Sequence, residues 1–272
     1  MEWSIIGGDE RFGRLARLLE DRGARVRTLG RERFADTAGA ERDFPALAEN
    51  IVVNCPPRGR GAVPSIDDIL EEASDAARVF CCGPGHPAST DARLIDLWAD
   101  EALLLENARL TAEGAVAAAM RTSSRSIKEM RCLVIGWGRI GRELTELLVA
   151  IGASVTVASR SAHSRCQAVA RGARTAFTEA IADALPGQQL IFNTAPAMVL
   201  DEDALRRAER DVMIVDLASP PYGVDLWAAW RRGMRAWREP GLPGRYCPTS
   251  AAQALLDAMD RYALTAGGNH YD

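Results

Sequence analysis

Lysine is almost missing from this chain. Lys128 is the single lysine among 33 lysines and arginines, so Schiff-base chemistry is not expected. Any anion must be held by arginine, by hydroxyls or by helix N-termini. Histidine is nearly as scarce: His86, His163 and His270 lie far apart. The cysteines are Cys55, Cys81, Cys82, Cys132, Cys166 and Cys247, and none forms a C-x-x-C pair. No metal site is expected from these residues, and the thiols read as reduced, in a cytoplasmic protein. No apolar run approaches the roughly 18 residues of a membrane span. The opening MEWSIIGGDERFG is acidic before it is apolar, unlike a signal peptide. A formal charge of −4 lacks the basic stripe that a nucleic-acid partner would require. No repeat with a period of roughly 20–50 residues is present.

What is present is an alternation of short apolar strands with amphipathic helices. Strands are expected at 3–8, 24–29, 50–55, 77–83 and 102–107, with helices at 10–22, 66–75 and 89–99. Adjacent Cys81 and Cys82 read as a buried strand end. Residues 30–49 read as a loop or weak helix. An alanine-rich helix at 108–125 connects to a second series: strand 131–136, helix 139–151 and strand 154–159. Further strands are expected at 189–194, 211–217 and near 234–237, and a last helix at about 249–264. Continuous apolar strands separated by helices argue for parallel sheets covered on both faces. At 272 residues, two modest domains of this kind each have room for a core.

The second series opens with GWGRIG (136–141), a G-x-G-x-x-G set directly after an apolar strand and at the start of a helix. Gly136 permits the tight turn, Gly138 lets the backbone approach a pyrophosphate, and Gly141 lets the helix pack on the strand. Trp137, Arg139 and Ile140 fill the remaining positions, and the helix N-terminus supplies N–H donors. A dinucleotide site follows from strand, turn, helix and second strand all being in order. The second strand ends in Ser159, Arg160 and Ser161, where a ribose-binding carboxylate is usual. A cation flanked by hydroxyls suits a 2′-phosphate, so NADP is expected over NAD, with NAD still possible. Thr194, Ala195 and Pro196 follow the next strand, and Leu217, Ala218 and Ser219 the one after. These are strand ends where a nicotinamide ring would lie flat against backbone.

Several stretches together resemble the dipicolinate synthase family, in its A-type subunit. They are IGGDER (6–11), LENARLTAEGA (105–115), GWGRIG with ASRS (158–161), FNTAPAMVL (192–200), DLASPPYGVD (216–225) and EPGLPGRYCPTSAAQ (239–253). Trp137 in the fingerprint and the bulky Arg245-Tyr246-Cys247 loop depart from that family's pattern. The resemblance implies an α/β architecture like that of 2-hydroxyacid dehydrogenases, with two doubly wound parallel-sheet domains. The first is a flavodoxin-like or Rossmann-like substrate domain over 1–107. After the connecting helix at 108–125 come a Rossmann NAD(P)-binding domain at 126–248 and a C-terminal helix and tail at 249–272. It also implies an oxidoreductase that makes pyridine-2,6-dicarboxylate for spores from a cyclic dihydrodipicolinate-type precursor of the diaminopimelate pathway. The flavoprotein-like B-type subunit of dipicolinate synthase is the implied partner, in the cytoplasm of a sporulating mother cell. A homo-oligomer is also possible.

Such a reaction needs two carboxylates held and one proton accepted. Arg11 and Arg58 follow strands closely and are the candidate anion holders, joined by Asn107, Thr111 and the PGLPG glycines Gly241 and Gly244. Asp216 and Glu113 are the candidate general bases, with water as a competitor. Two other readings stay open. One is another NADP-linked hydroxyacid or amino-acid dehydrogenase, and the other is a non-catalytic nucleotide-binding subunit.

Overall fold

The computed structural model describes residues 1–30, 46–55, 64–83 and 91–267. The chain divides into two compact units, one formed by Met1–Asn107 with Pro243–Asp272 and the other by Ala108–Leu242.

In the first unit the order is β1 (Glu2–Ile6), α1 (Glu10–Asp21), β2 (Arg25–Leu29), β3 (Asn50–Asn54), α2 (Ile66–Glu72), β4 (Arg78–Cys82) and β5 (Leu94–Asp96). The strands form one parallel sheet in the order β2-β1-β3-β4-β5. That is the flavodoxin-like order for a doubly wound sheet. One face is covered by α1, through Phe12, Leu15 and Leu19, and by the C-terminal helix, through Ala252, Leu255, Leu256 and Met259. The other face buries Ile51, Val53, Val79, Cys55 and Cys81 against Ile66 and Ile69 of α2.

Helix α3 (Glu101–Thr122) carries the chain into the second unit. There follow β6 (Arg131–Ile135), α4 (Arg139–Ile151), β7 (Ser154–Ala158), α5 (Ala162–Ala170), β8 (Arg174–Ala176), α6 (Ile181–Ala184), β9 (Leu190–Asn193), α7 (Glu202–Leu205), β10 (Met213–Asp216), α8 (Leu226–Arg231) and β11 (Arg235–Arg238). The sheet is again parallel, in the order β11-β10-β9-β6-β7-β8. This is the dinucleotide-binding order, with its switch point between β6 and β9. The short α9 (Leu242–Tyr246) and the long α10 (Pro248–Gly267) complete the chain. The expected α/β class and both parallel sheets are therefore present.

Two expectations are corrected. Residues 102–107 belong to helix α3, not to a strand. Asp100 accepts a hydrogen bond from the Leu103 backbone N–H at 2.9 Å and so starts the helix. Within the apolar run only Leu103 is buried while Leu105 is exposed, so burial does not follow a sheet core. The helix expected at 89–99 gives way, over its described residues, to β5 and a single 3-10 turn at Leu97–Ala99. Leu94, Ile95, Leu97 and Trp98 imitate helical spacing, yet pairing with β4 decides their state, a long-range contact that outweighs local periodicity. Of the segment read as a loop or weak helix, residues 31–45 lie outside the described residues.

Candidate functional site

Strand β6 is continuous in its apolar residues because helices cover both its faces, and it delivers the chain to Gly136 at the switch point. Gly136 has φ +104°, and a Cβ there would meet Thr194 Oγ1 at 2.4 Å. Gly141 lies so close to the strand end that a Cβ would meet the Gly136 carbonyl oxygen at 2.3 Å. Gly138 is different. It is exposed, it is the N-cap of α4 with no side-chain cap, and a Cβ there would meet nothing within 4 Å. The two outer glycines answer to packing of the protein on itself. The middle one keeps a cradle open before uncapped helix N–H groups, which is where a pyrophosphate fits. Arg139 and Ile140 form the first turn of α4 beside it.

Trp137 is buried, although it stands in a loop. Its indole Nε1 donates to Gln167 Oε1 at 2.9 Å, and the Arg171 guanidinium lies 5.6 Å from its ring centroid. The departure from the usual fingerprint thus ties the glycine loop to α5. At the end of β7, Ser159 is buried, Arg160 is exposed, and Ser161 caps α5 by accepting from the Ser164 N–H at 3.3 Å.

The two strand ends at β9 and β10 are joined by a buried polar pair. Asn193 Nδ2 donates to Asp216 Oδ1 at 2.8 Å and to the Ala195 carbonyl at 3.1 Å. Asp216 also accepts from the Ala218 and Gly223 N–H groups, each at 3.3 Å, and faces Arg238 Nε at 3.6 Å. Thr194 Oγ1 donates to the Ile135 carbonyl, and the Leu217 N–H donates to the Asn193 carbonyl. The loops carrying Thr194, Ala195 and Pro196, and Leu217, Ala218 and Ser219, are thereby fixed to each other and to the glycine turn. Asn193 and Arg238 went unnoticed in the sequence. The asparagine was legible only as the polar residue ending an apolar strand.

The other candidates fall into two groups. Arg11 sits at the first turn of α1 with its guanidinium on Asp9, Nε to Oδ1 at 2.8 Å and Nη2 to Oδ2 at 2.9 Å. Gly244, far away in sequence, lies against the same carboxylate, since a Cβ there would meet Asp9 Oδ2 at 2.2 Å. Arg11 and Gly244 are therefore neighbours through Asp9. Asn107 and Thr111 are one helical turn apart on α3 and share a face, whereas Glu113 points elsewhere and pairs with Arg109. Gly241 falls in the second unit and Gly244 in the first. Arg58 lies outside the described residues. Among the described residues there is no cluster of histidine, cysteine and carboxylate that could hold a metal, and no helix long and apolar enough to cross a membrane.

This sheet order, with an open glycine cradle at its switch point, defines a dinucleotide-binding domain. Residues 103–218 match the family of D-isomer specific 2-hydroxyacid dehydrogenases, NAD-binding domain. The chain is 28% identical over 174 residues to the A-type subunit of dipicolinate synthase from Bacillus subtilis, a match over 64% of this chain and 59% of that relative's length. In fold it is similar to the corresponding dipicolinate synthase subunit from Bacillus halodurans, with a TM-score of 0.80, 24% identity and coverage of 96% of this chain and 97% of that one. A transhydrogenase from Sinorhizobium meliloti shares the fold at a TM-score of 0.68 and 15% identity, covering 97% of this chain and 94% of that one. The resemblance to the A-type subunit of dipicolinate synthase read from the sequence is borne out. These matches support a nicotinamide cofactor and a dehydrogenase-type role.

Proposed function

We propose that this chain is the NAD(P)-dependent, A-type subunit of a dipicolinate synthase. In this reading it oxidises a cyclic dihydrodipicolinate-type precursor from the diaminopimelate/lysine pathway to pyridine-2,6-dicarboxylate in the cytoplasm of a sporulating cell. The flavoprotein-like B-type subunit is its partner. The observation that carries the reading is the open cradle at Gly138 in a chain whose sequence matches that dipicolinate synthase component.

Conversion of a dihydropyridine to a pyridine releases one hydride and one proton, so a hydride acceptor and a proton acceptor together balance the reaction. NADP, when bound, supplies the hydride acceptor. Gly136, Trp137, Gly138, Arg139, Ile140 and Gly141 would hold its pyrophosphate, and Ser159, Arg160 and Ser161 its 2′-phosphate. The loops at 194–196 and 217–219 would present backbone to the nicotinamide. Arg11, Arg58, Asn107, Thr111, Gly241 and Gly244 would hold the two carboxylates of the substrate, with Asp9 setting the direction of the Arg11 guanidinium. Glu113 turns away from the Asn107–Thr111 face and pairs with Arg109, so water is the proton acceptor in this reading. The hydrogen bonds around Asp216 favour a positioning role for it instead.

The test is a coupled measurement on the purified chain with and without its flavoprotein-like partner. Reduced nicotinamide and the ultraviolet absorption of pyridine-2,6-dicarboxylate should appear together, and NADP should support the reaction better than NAD. Pyridine formation by the partner at an unchanged rate without this chain would overturn the reading.

A further inference from the structure

Between Ser159 and Arg171 the sequence holds Arg160, Arg165, Arg171 and His163 and no carboxylate. Arg160 is exposed at the turn, but Arg165 is the better anchored of the arginines nearest the strand end. Its Nη1 donates to the Ser159 carbonyl at 2.7 Å and to the Arg160 carbonyl at 2.8 Å. Its guanidinium carbon stands 3.8 Å from the centroid of the Phe177 ring. Phe177 directly follows β8, which pairs with β7, so the ring lies at the same sheet edge as the turn. Phe177 is 56% exposed, so the cation and the ring that holds it are both open to solvent. The guanidinium Nε and Nη2 make no hydrogen bond among the described residues.

A planar cation fixed on one edge by two carbonyls and on one face by an aromatic ring is pre-organised, and two of its nitrogens still have donors to give. We infer that Arg165, held by Phe177, is a second 2′-phosphate ligand and a determinant of cofactor choice, acting with Arg160. This inference rests on the NADP reading of the Ser159–Arg160–Ser161 turn. A near-dianionic phosphate calls for more than one cation, and a bidentate guanidinium is its strongest partner. Arg160 starts exposed and must be ordered on binding, whereas Arg165 is already in place.

The test is the dissociation constant of NADPH and of NADH, followed by fluorescence, for the unmodified protein, Arg165→Ala and Phe177→Ala. Arg165→Ala should weaken NADPH by about tenfold or more while NADH changes by no more than about threefold. Phe177→Ala, which leaves the carbonyl contacts of Arg165 intact, should move NADPH in the same direction by a smaller factor. If the unmodified protein prefers NADPH and both variants keep that preference, or lose both cofactors equally, Arg165 only braces the turn and the inference falls while the NADP reading stands. If the unmodified protein binds the two cofactors equally, the NADP reading fails and takes the inference with it.

Discussion

Asn193 and Asp216, at the ends of neighbouring strands, face each other in register and share a 2.8 Å hydrogen bond with both side chains fully buried. The pair holds two loops at once, because Asn193 exchanges hydrogen bonds with Ala195 while Asp216 accepts from Ala218 and Gly223. Asp216→Asn replaces an acceptor oxygen with an amide and removes the charge facing Arg238. It should lower stability by about 1–3 kcal/mol, as expected when a buried charged hydrogen-bonding group loses its match. Nucleotide affinity should fall with it, since both loops would loosen. A general base would behave otherwise: turnover would vanish while the melting temperature and cofactor affinity held. Thermal melts and cofactor titrations on the same variant decide between the two roles.

The glycines of the fingerprint should separate stability from binding. Gly141→Ala would force a methyl group onto the Gly136 carbonyl, within 2.3 Å of its oxygen. The helix or strand must shift, so about 1–3 kcal/mol of stability should be lost along with binding. Gly138→Ala meets no protein atom within 4 Å and exchanges one N-cap for a poorer one. Stability should fall by less than about 1 kcal/mol. Dinucleotide affinity should nevertheless drop steeply, because the methyl group enters the cradle. A Gly138→Ala protein that bound cofactor normally would place the pyrophosphate elsewhere.

Much of this was legible in the sequence, for physical reasons that differ by element. Helix α4 is legible to its ends because glycines bracket a strong apolar stripe of Ile140, Leu144, Leu147, Leu148 and Ile151. The switch-point turn is legible because its backbone requirement admits only glycine at Gly136. Strand β5 was not legible, since three residues carry no period and owe their state to β4. The start of α3 was misread because an apolar run of four residues fits a buried strand as well as a helix. The nearness of Gly244 to Asp9 and Arg11 was beyond reach, because those residues meet only through the folding back of the last segment onto the first unit.

The packing of α10 on the first unit should weaken in acid. Arg261 Nε lies 2.8 Å from Asp100 Oδ2, and Arg22 holds Asp260 at 2.9 Å. The Arg261 hydrogen bond, with help from the Leu103 N–H, holds the Asp100 carboxyl below its usual range. A carboxyl depressed in the folded state stabilises above its unfolded pKa of about 3.9, and that contribution is lost as pH falls through the lower folded value. Arg261 is almost half exposed, so solvent screening keeps the effect to about 1 kcal/mol or less. Asp100→Asn should therefore cost stability at neutral pH and flatten its decline below about pH 4. Urea midpoints across that range give the measurement, and parallel curves for the two proteins would remove Asp100 from the acid response.

The thiols should sort by burial. Cys166 is exposed on α5 and Cys247 is half-buried, while Cys55, Cys81, Cys82 and Cys132 are buried. Burial pushes the Cys132 thiol up to about 12 and raises Cys82 as well. A hydrogen bond with Cys55, reinforced by burial, raises Cys81. The thiolate is the nucleophile that attacks an alkylating reagent, so at neutral pH a thiol raised this far is slow even before access is considered. Maleimide labelling of the native protein, read by peptide mass, should modify Cys166 first and Cys247 more slowly, and should spare the other four. Their labelling should begin only with unfolding, at the denaturant concentration where the sheets open. Early modification of Cys81 or Cys82 in native protein would mean that the carboxyl end of β4 opens locally, since both residues lie on that strand with a core on either side. Cys132 on β6 supplies the internal comparison from the second unit. If it stays protected while Cys81 reacts, the first unit opens independently of the dinucleotide-binding sheet.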